Sequence, residues 1–155
     1  MKIGILYSSR YGFTEKLSRD LGQSFDDYVC LSIEETTDAL IKSCDGIILA
    51  TSVYSGKLRK NMINFINENK ELLMSKKVGM FLTSFNDFKT SNYLEQSLTK
   101  GFINHLTYLT YGGYGYDKSQ LSMLDKIAVK TIRKRERETF FENNEGLNTL
   151  VEKMK

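Results

Sequence analysis

Tyr7-Ser8-Ser9-Arg10-Tyr11-Gly12-Phe13-Thr14-Glu15 joins a short β-favouring run, Lys2 to Tyr7, to a stretch from Thr14 to Phe25 in which Leu17, Leu21 and Phe25 recur at helical spacing. The order is strand, loop, helix. Such a junction turns successive backbone N–H groups and a helix N-terminus toward one point, which is what a phosphate monoester needs. Ser9 and Thr14 add hydroxyl donors, and Gly12 lets the backbone approach closely. Arg10 offers a full charge and a two-pronged hydrogen bond. Tyr11 and Phe13 complete the loop, Phe13 through its backbone N–H. A Ser-rich turn in which Thr14 merely caps the helix would read the same way, so the rest of the chain decides.

Beyond the loop, the pattern repeats. Tyr28 to Ile33 reads as a second strand, Thr37 to Ile41 as the start of a short helix, and Asp45 to Ala50 as a third, buried strand. Leu58, Met62, Phe65, Ile66 and Leu73 mark a helix of about fifteen residues. Val78 to Thr83 is the fourth strand. Asn92-Tyr93-Leu94-Glu95 has the form of an N-cap with a Glu reaching back, opening a helix to about Asn104. Leu106 to Tyr111 is the fifth strand. Five strands alternating with helices predict a doubly wound α/β domain: a parallel sheet in the order 2-1-3-4-5 with helices on both faces.

After Tyr111-Gly112-Gly113-Tyr114-Gly115-Tyr116 comes a helical pattern from about 119 to 138, whose apolar stripe is Leu121, Leu124, Ala128 and Ile132. Leu147, Leu150, Val151 and Met154 then mark a closing helix. The stretch from about 113 to 140 therefore reads as a helical insertion after strand five, within one domain spanning 1–155.

Charge singles out the same stretch. Residues 1–117 hold 13 Lys plus Arg and 13 Asp plus Glu, whereas residues 118–155 hold 9 and 6, so the second part supplies the whole net charge of +3. Lys126, Lys130, Arg133, Lys134, Arg135 and Arg137 make the inserted helix basic and amphipathic. It is either a solvated face or a site for an acidic partner, an anionic lipid or substrate carboxylates.

Other classes are excluded by what is missing. Apolar residues are 41% and charged residues 26% of the 155, ordinary for a globular domain. The longest apolar runs, such as Gly46 to Ala50, are far shorter than the roughly 20 residues that span a bilayer. The N-terminus, Met1 to Tyr7, has no signal-peptide pattern, and the expected location is the cytoplasm, with 126–137 available for peripheral contact at the inner face of the membrane. Cys30 and Cys44 match neither a redox nor a zinc spacing, and His105 is the only histidine, so no metal is expected. No acidic pair follows strand one, as a receiver domain would need, and no GxxxxGK[ST] or GxGxxG opens a helix. No RNA-binding signature accompanies the basic helix, so nucleic acid is not an expected partner.

In a doubly wound sheet, ligands lie at the carboxyl ends of the strands, where the winding reverses. The loops there are 8–14, 51–57, 84–90 and 112–118. Thr51-Ser52-Val53-Tyr54-Ser55-Gly56-Lys57 offers an aromatic ring, Tyr54, for stacking on a flat cofactor. Around it lie the main chain of Thr51, Ser52, Val53, Ser55 and Gly56 and the charge of Lys57. Ser84, Phe85, Asn86 and Asp87 border the other side, and Gly112 and Gly113 permit close backbone approach.

The loop Ser9 to Thr14 resembles the flavodoxin phosphate-loop pattern, Ser/Thr-x-x-Gly-x-Thr after the first strand. The Ser-Arg-x-Gly-x-Thr version is more specifically similar to the flavodoxin-type, menaquinone-dependent protoporphyrinogen oxidases, as are Thr51 to Lys57, the insertion and the closing helix. Phe13 stands where flavodoxins usually carry Asn or Gln. The resemblance implies a flavodoxin-like fold, FMN as cofactor, and an FMN-dependent oxidoreductase passing electrons from a porphyrinogen to a quinone. It leaves open a flavodoxin-like carrier that only docks to redox partner proteins. No side chain is assigned as catalytic.

Overall fold

The computed structural model describes residues 1–54, 56–84, 94–115 and 140–155. Its strands are β1 (Ile3–Ser8), β2 (Tyr28–Ser32), β3 (Gly46–Tyr54), β4 (Lys57–Leu58), β5 (Lys77–Thr83), β6 (Tyr108–Gly115) and β7 (Phe140–Glu142). Its helices are α1 (Phe13–Gly22), α2 (Asp38–Ser43), α3 (Lys60–Glu68), α4 (Lys70–Met74), α5 (Lys100–His105) and α6 (Asn144–Met154). The sheet runs β2-β1-β3-β5-β6-β7, with β4 paired to β3. The neighbours from β2 to β6 are parallel, so the predicted winding order is the one observed.

Both faces of the sheet are covered, and the period of two along each strand divides the core. Ile3, Ile5 and Tyr7 of β1, Ile48 and Ala50 of β3 and Phe81 of β5 pack with Leu17 and Leu21 of α1 and Leu147, Leu150 and Val151 of α6. The alternate residues Leu6, Ile47, Leu49, Val78, Met80 and Leu82 face Ile41, Met62, Phe65, Ile66, Leu73 and Phe102, from α2 to α5. Covering on both sides explains why these strands read as continuous apolar runs.

Several predicted boundaries move. The single helix expected from Leu58 to Leu73 is two: the chain leaves helical geometry at Asn69 (φ −111°, ψ 16°), whose side-chain amide donates to the Phe65 carbonyl (2.9 Å). The first helix ends at Gly22 rather than Phe25, because Gln23, Ser24 and Phe25 donate to carbonyls three residues back and close the turn. The helix expected to run unbroken to Asn104 is interrupted after Glu95: a turn intervenes, and Thr99 caps α5 by accepting from the Phe102 N–H (3.4 Å). Asn92 and Tyr93, the start of that expected helix, lie outside the described residues. His105 bonds the Lys76 carbonyl through Nε2 (2.7 Å), a structural role.

Two strands are longer than expected, and this matters for the site. β3 continues four residues past Ala50 to Tyr54 and turns back at Gly56 (φ +74°) into β4, so Thr51 to Tyr54 are strand, not loop. β6 runs on to Gly115 and receives β7 in antiparallel register, Gly113 against Glu142 and Gly115 against Phe140. The insertion thus leaves after Gly115 and returns at Phe140, rather than beginning near 113; the predicted helix of 119–138 lies outside the described residues. Among the described residues no helix is long and apolar enough to cross a membrane.

Candidate functional site

The carboxyl ends of β1, β3, β5 and β6 meet at one cleft. Its first wall is the loop after β1. Gly12 sits in the left-handed region (φ +86°, ψ −10°) at the N-cap of α1, with no side chain capping the helix. A residue with Cβ would be strained in that conformation, which accounts for glycine there. The first intrahelical bond runs from Lys16 N–H to the Gly12 carbonyl (3.0 Å), so the N–H groups of Phe13, Thr14 and Glu15 are the open donors of the helix start. Together with the helix dipole they favour an anion.

The side chains of this loop hold it together as much as they face the cleft. Ser9 Oγ accepts from the Gly12 N–H (3.0 Å), closing the turn. Thr14 is buried, and its hydroxyl shares a hydrogen bond with that of Thr83 (2.8 Å), which ties α1 to the end of β5. Arg10 does not point into the loop as a phosphate fork would. Its guanidinium lies over the Tyr54 ring (4.3 Å to the centroid) and near the Tyr11 ring (5.3 Å), with Nε donating to the Tyr11 hydroxyl (2.9 Å).

The adjoining wall is the end of β3, the strand paired to β1. Ser52, Val53 and Tyr54 line the cleft. Ser52 Oγ is buried without a hydrogen-bond partner. An unpaired buried hydroxyl costs about 1–3 kcal/mol and is rare in native folds, which makes Ser52 a candidate contact for a polar atom of a ligand. Thr83 and Ser84 form the floor, with the Ser84 N–H bonded to the Gly113 carbonyl (3.0 Å) and the Ser84 carbonyl accepting from the Tyr111 hydroxyl (2.7 Å). Tyr114 and Gly115 close the fourth side. The Phe13 ring occupies the space that a Cβ on Gly115 would need, so α1 and β6 come together there.

Of the residues expected at the site, Ser9, Arg10, Tyr11, Phe13, Thr14, Ser52, Val53, Tyr54 and Ser84 line this cleft. Thr51 is fully buried in the sheet. Gly56 and Lys57 lie beyond Tyr54 on the β3–β4 turn, and Lys57 lines a neighbouring cavity instead. Gly112 and Gly113 do allow close approach, but to protein: Gly112 to the Phe81 ring and Gly113 to the backbone of Phe141 and Glu142. Ser55, Phe85, Asn86 and Asp87 lie outside the described residues. Thr83 was not anticipated, and Tyr114 and Gly115, inside the expected ligand loop 112–118, were not singled out. Thr83 ends an apolar strand and reads as part of it, and the other two fall beyond the predicted end of strand five.

A parallel sheet wound in this order, with an uncapped helix start and an aromatic-lined cleft at its switch point, is the doubly wound arrangement in which ligands lie at the strand ends. Residues 4–142 match the family described as "Flavodoxin domain" (Flavodoxin_5), and the chain belongs to that family. It is 23% identical over 149 residues to a flavodoxin of Clostridium saccharobutylicum, covering 89% of both chains. Among solved structures it is similar to a short-chain flavodoxin associated with a non-canonical PDU bacterial microcompartment (TM-score 0.62, 13% identity, 99% of this chain and 96% of the other). It is also similar to the Fusobacterium nucleatum flavodoxin bound to flavin mononucleotide (TM-score 0.51, 18% identity, 76% and 72%).

Proposed function

We propose that the chain binds FMN in this cleft and passes electrons between redox partners as a flavodoxin-like carrier. The observation that carries the reading is that one aromatic-lined cleft brings together a helix start with open N–H donors and Ser52, whose buried hydroxyl has no hydrogen-bond partner among the described residues. The N–H groups of Phe13, Thr14 and Glu15 would receive the phosphate, with the Thr14–Thr83 pair fixing the helix start against β5. Tyr54 and Tyr114, which both line the cleft, would contact the ring, and Ser52 would meet a polar atom at its edge. FMN supplies the redox chemistry, while the protein binds it and excludes water from it. Membership of the flavodoxin-domain family, and the likeness to a flavodoxin bound to flavin mononucleotide, support the same cofactor.

Binding is tested by titrating the protein with FMN and with riboflavin and following flavin fluorescence. FMN is expected to bind far more tightly, because the phosphate meets the helix start. Equal affinities would remove the phosphate site from this reading.

A second reading, porphyrinogen oxidation with a quinone as acceptor, rests on the resemblance of the loop and on one structural observation: the excursion 116–139 leaves from Gly115, a residue of the cleft wall. The basic residues 126–137 would then hold the substrate's propionates or an anionic membrane. Protoporphyrinogen IX with a menaquinone analogue separates the two readings. A carrier gives no turnover yet exchanges electrons rapidly with a flavodoxin reductase.

A further inference from the structure

Next to the candidate flavin cleft, sharing Arg10 and Tyr54 with it, lies a second concavity. Arg10, Lys57, Arg59 and Lys60 line it, with Tyr54 and Asn61 between them, and no carboxylate does so among the described residues. The cations come from three elements: the loop after β1, the strand β4 and the start of α3. Their arrangement is held in place. Arg59 Nε donates to Ser8 Oγ (2.8 Å), Ser8 donates to Asn61 Oδ1 (2.8 Å), and Asn61 Nδ2 donates to Glu34 Oε1 (2.8 Å).

The arrangement stores unfavourable electrostatics. Burial and then the neighbouring Arg10 push the Arg59 guanidinium below its ordinary pKa, with only Glu34 opposing them. Arg59 and Lys60 also stand at the N-cap and first residue of α3, the positive end of a helix whose first turn has no acidic residue. Cations are destabilising there. Lys57 and Lys60 are exposed, and neither is ion-paired among the described residues. Like charge gathered around a concavity is relieved by a negative surface brought against it.

We propose that this face docks an acidic electron-transfer protein, whose carboxylates meet Lys57, Arg59 and Lys60 and whose redox centre comes to rest against Tyr54. The proposal rests on the carrier reading above. Tyr54 and Arg10 line both cavities, so a partner seated here is one side chain from the flavin cleft. Exposed lysines spread over separate elements act on the encounter with an extended charged surface, which favours a protein over a small anion. One electron leaves the partner's reduced centre and enters oxidised FMN; no other bond is made or broken.

The test mixes FMN-loaded protein in a stopped-flow instrument with a chemically reduced, small acidic iron–sulfur protein and follows flavin absorbance. The rate is expected to fall roughly ten-fold between low and high salt, as a steered association does. Lys60→Glu should lower the low-salt rate about five-fold, and Lys57→Glu added to it should lower it further, by the same steering argument. FMN affinity of Lys60→Glu is expected to equal that of the parent. The comparison is Lys153→Glu with Lys155→Glu, a larger change in net charge at the end of α6, expected to alter the rate less than about two-fold. Equal effects at the two places, or none at either, would overturn the docking proposal. So would inhibition by phosphate beyond that of chloride at matched ionic strength without any difference between the two reversals, which would assign the cavity to a small anion. A parent protein that retains no FMN overturns the carrier reading and this proposal together, whereas retained FMN with equal effects overturns the docking alone.

Discussion

Ser52 buries a hydroxyl that has no hydrogen-bond partner among the described residues, and that costs stability as long as it stays unpaired. Ser52→Ala is therefore expected to raise the stability of the flavin-free protein by about 1 kcal/mol while weakening FMN binding by a similar amount. Urea unfolding read beside FMN titration checks the opposite signs; a change of the same sign in both would show that Ser52 serves the fold alone. Cys30 gives a second expectation. Burial pushes its thiol from 9.0 up to about 11, with Glu15 adding to the rise and Arg19 opposing it. A group that keeps its proton longer in the folded state favours folding below its unfolded pKa and loses that advantage as pH climbs toward the folded one. Stability should fall between pH 9 and 11, and Cys30→Ala should flatten that part of the profile, as measured by denaturant midpoints across pH.

Gly113 governs the edge of the sheet. It has φ +126°, and a Cβ there would run into the Phe141 carbonyl across the β6–β7 pair. Gly113→Ala is expected to break this pairing and destabilise the protein by about 2 kcal/mol or more, from backbone strain and lost ladder bonds together. A lower urea midpoint with altered Tyr fluorescence would be the signature. The same region shows where reading the chain succeeds and fails. Apolar runs such as Gly46 to Ala50 announce buried parallel strands because both faces are covered, and alternation with helices implies a parallel sheet, within which the order 2-1-3-4-5 is a choice over other windings. The polar ends of strands are harder to read. Thr51 to Tyr54 and Gly112 to Gly115 carry no apolar run, yet they continue β3 and β6: β5 pairs Thr51 and Ser52, β4 pairs Val53 and Tyr54, and β7 pairs Gly113 to Gly115. Pairing between distant segments leaves little local trace. The hydroxyls and glycine of the Ser9 to Thr14 loop marked it as part of the candidate site, and it does line the cleft, but the roles within it were not legible. Ser9 turns back to Gly12, Thr14 reaches across 69 residues to Thr83, and Arg10 covers Tyr54.

Charge is distributed unevenly over the protein. Both basic groups, the cavity beside Tyr54 and residues 126–137, belong to parts of the chain next to the candidate flavin site or joined to its wall. If 126–137 engages anionic lipid, binding to phosphatidylserine vesicles should fall steeply with salt and vanish on charge reversal at Lys130, Arg133 and Lys134. Cosedimentation at low and high salt measures it. Binding that ignores those substitutions would leave residues 126–137 as a solvated surface.

Because Gly115 and Phe140 face each other in the β6–β7 register, the excursion 116–139 begins and ends at neighbouring points of a finished sheet. Such a segment behaves as an exchangeable cassette. Closing the gap with Asn-Gly, the pair best suited to a two-residue antiparallel turn, asks nothing new of the sheet and shortens a loop whose closure entropy grows only logarithmically with length. The chain is thus a natural chassis for grafting: specificity written in 116–139 could be erased or rewritten without touching the part that grips the cofactor.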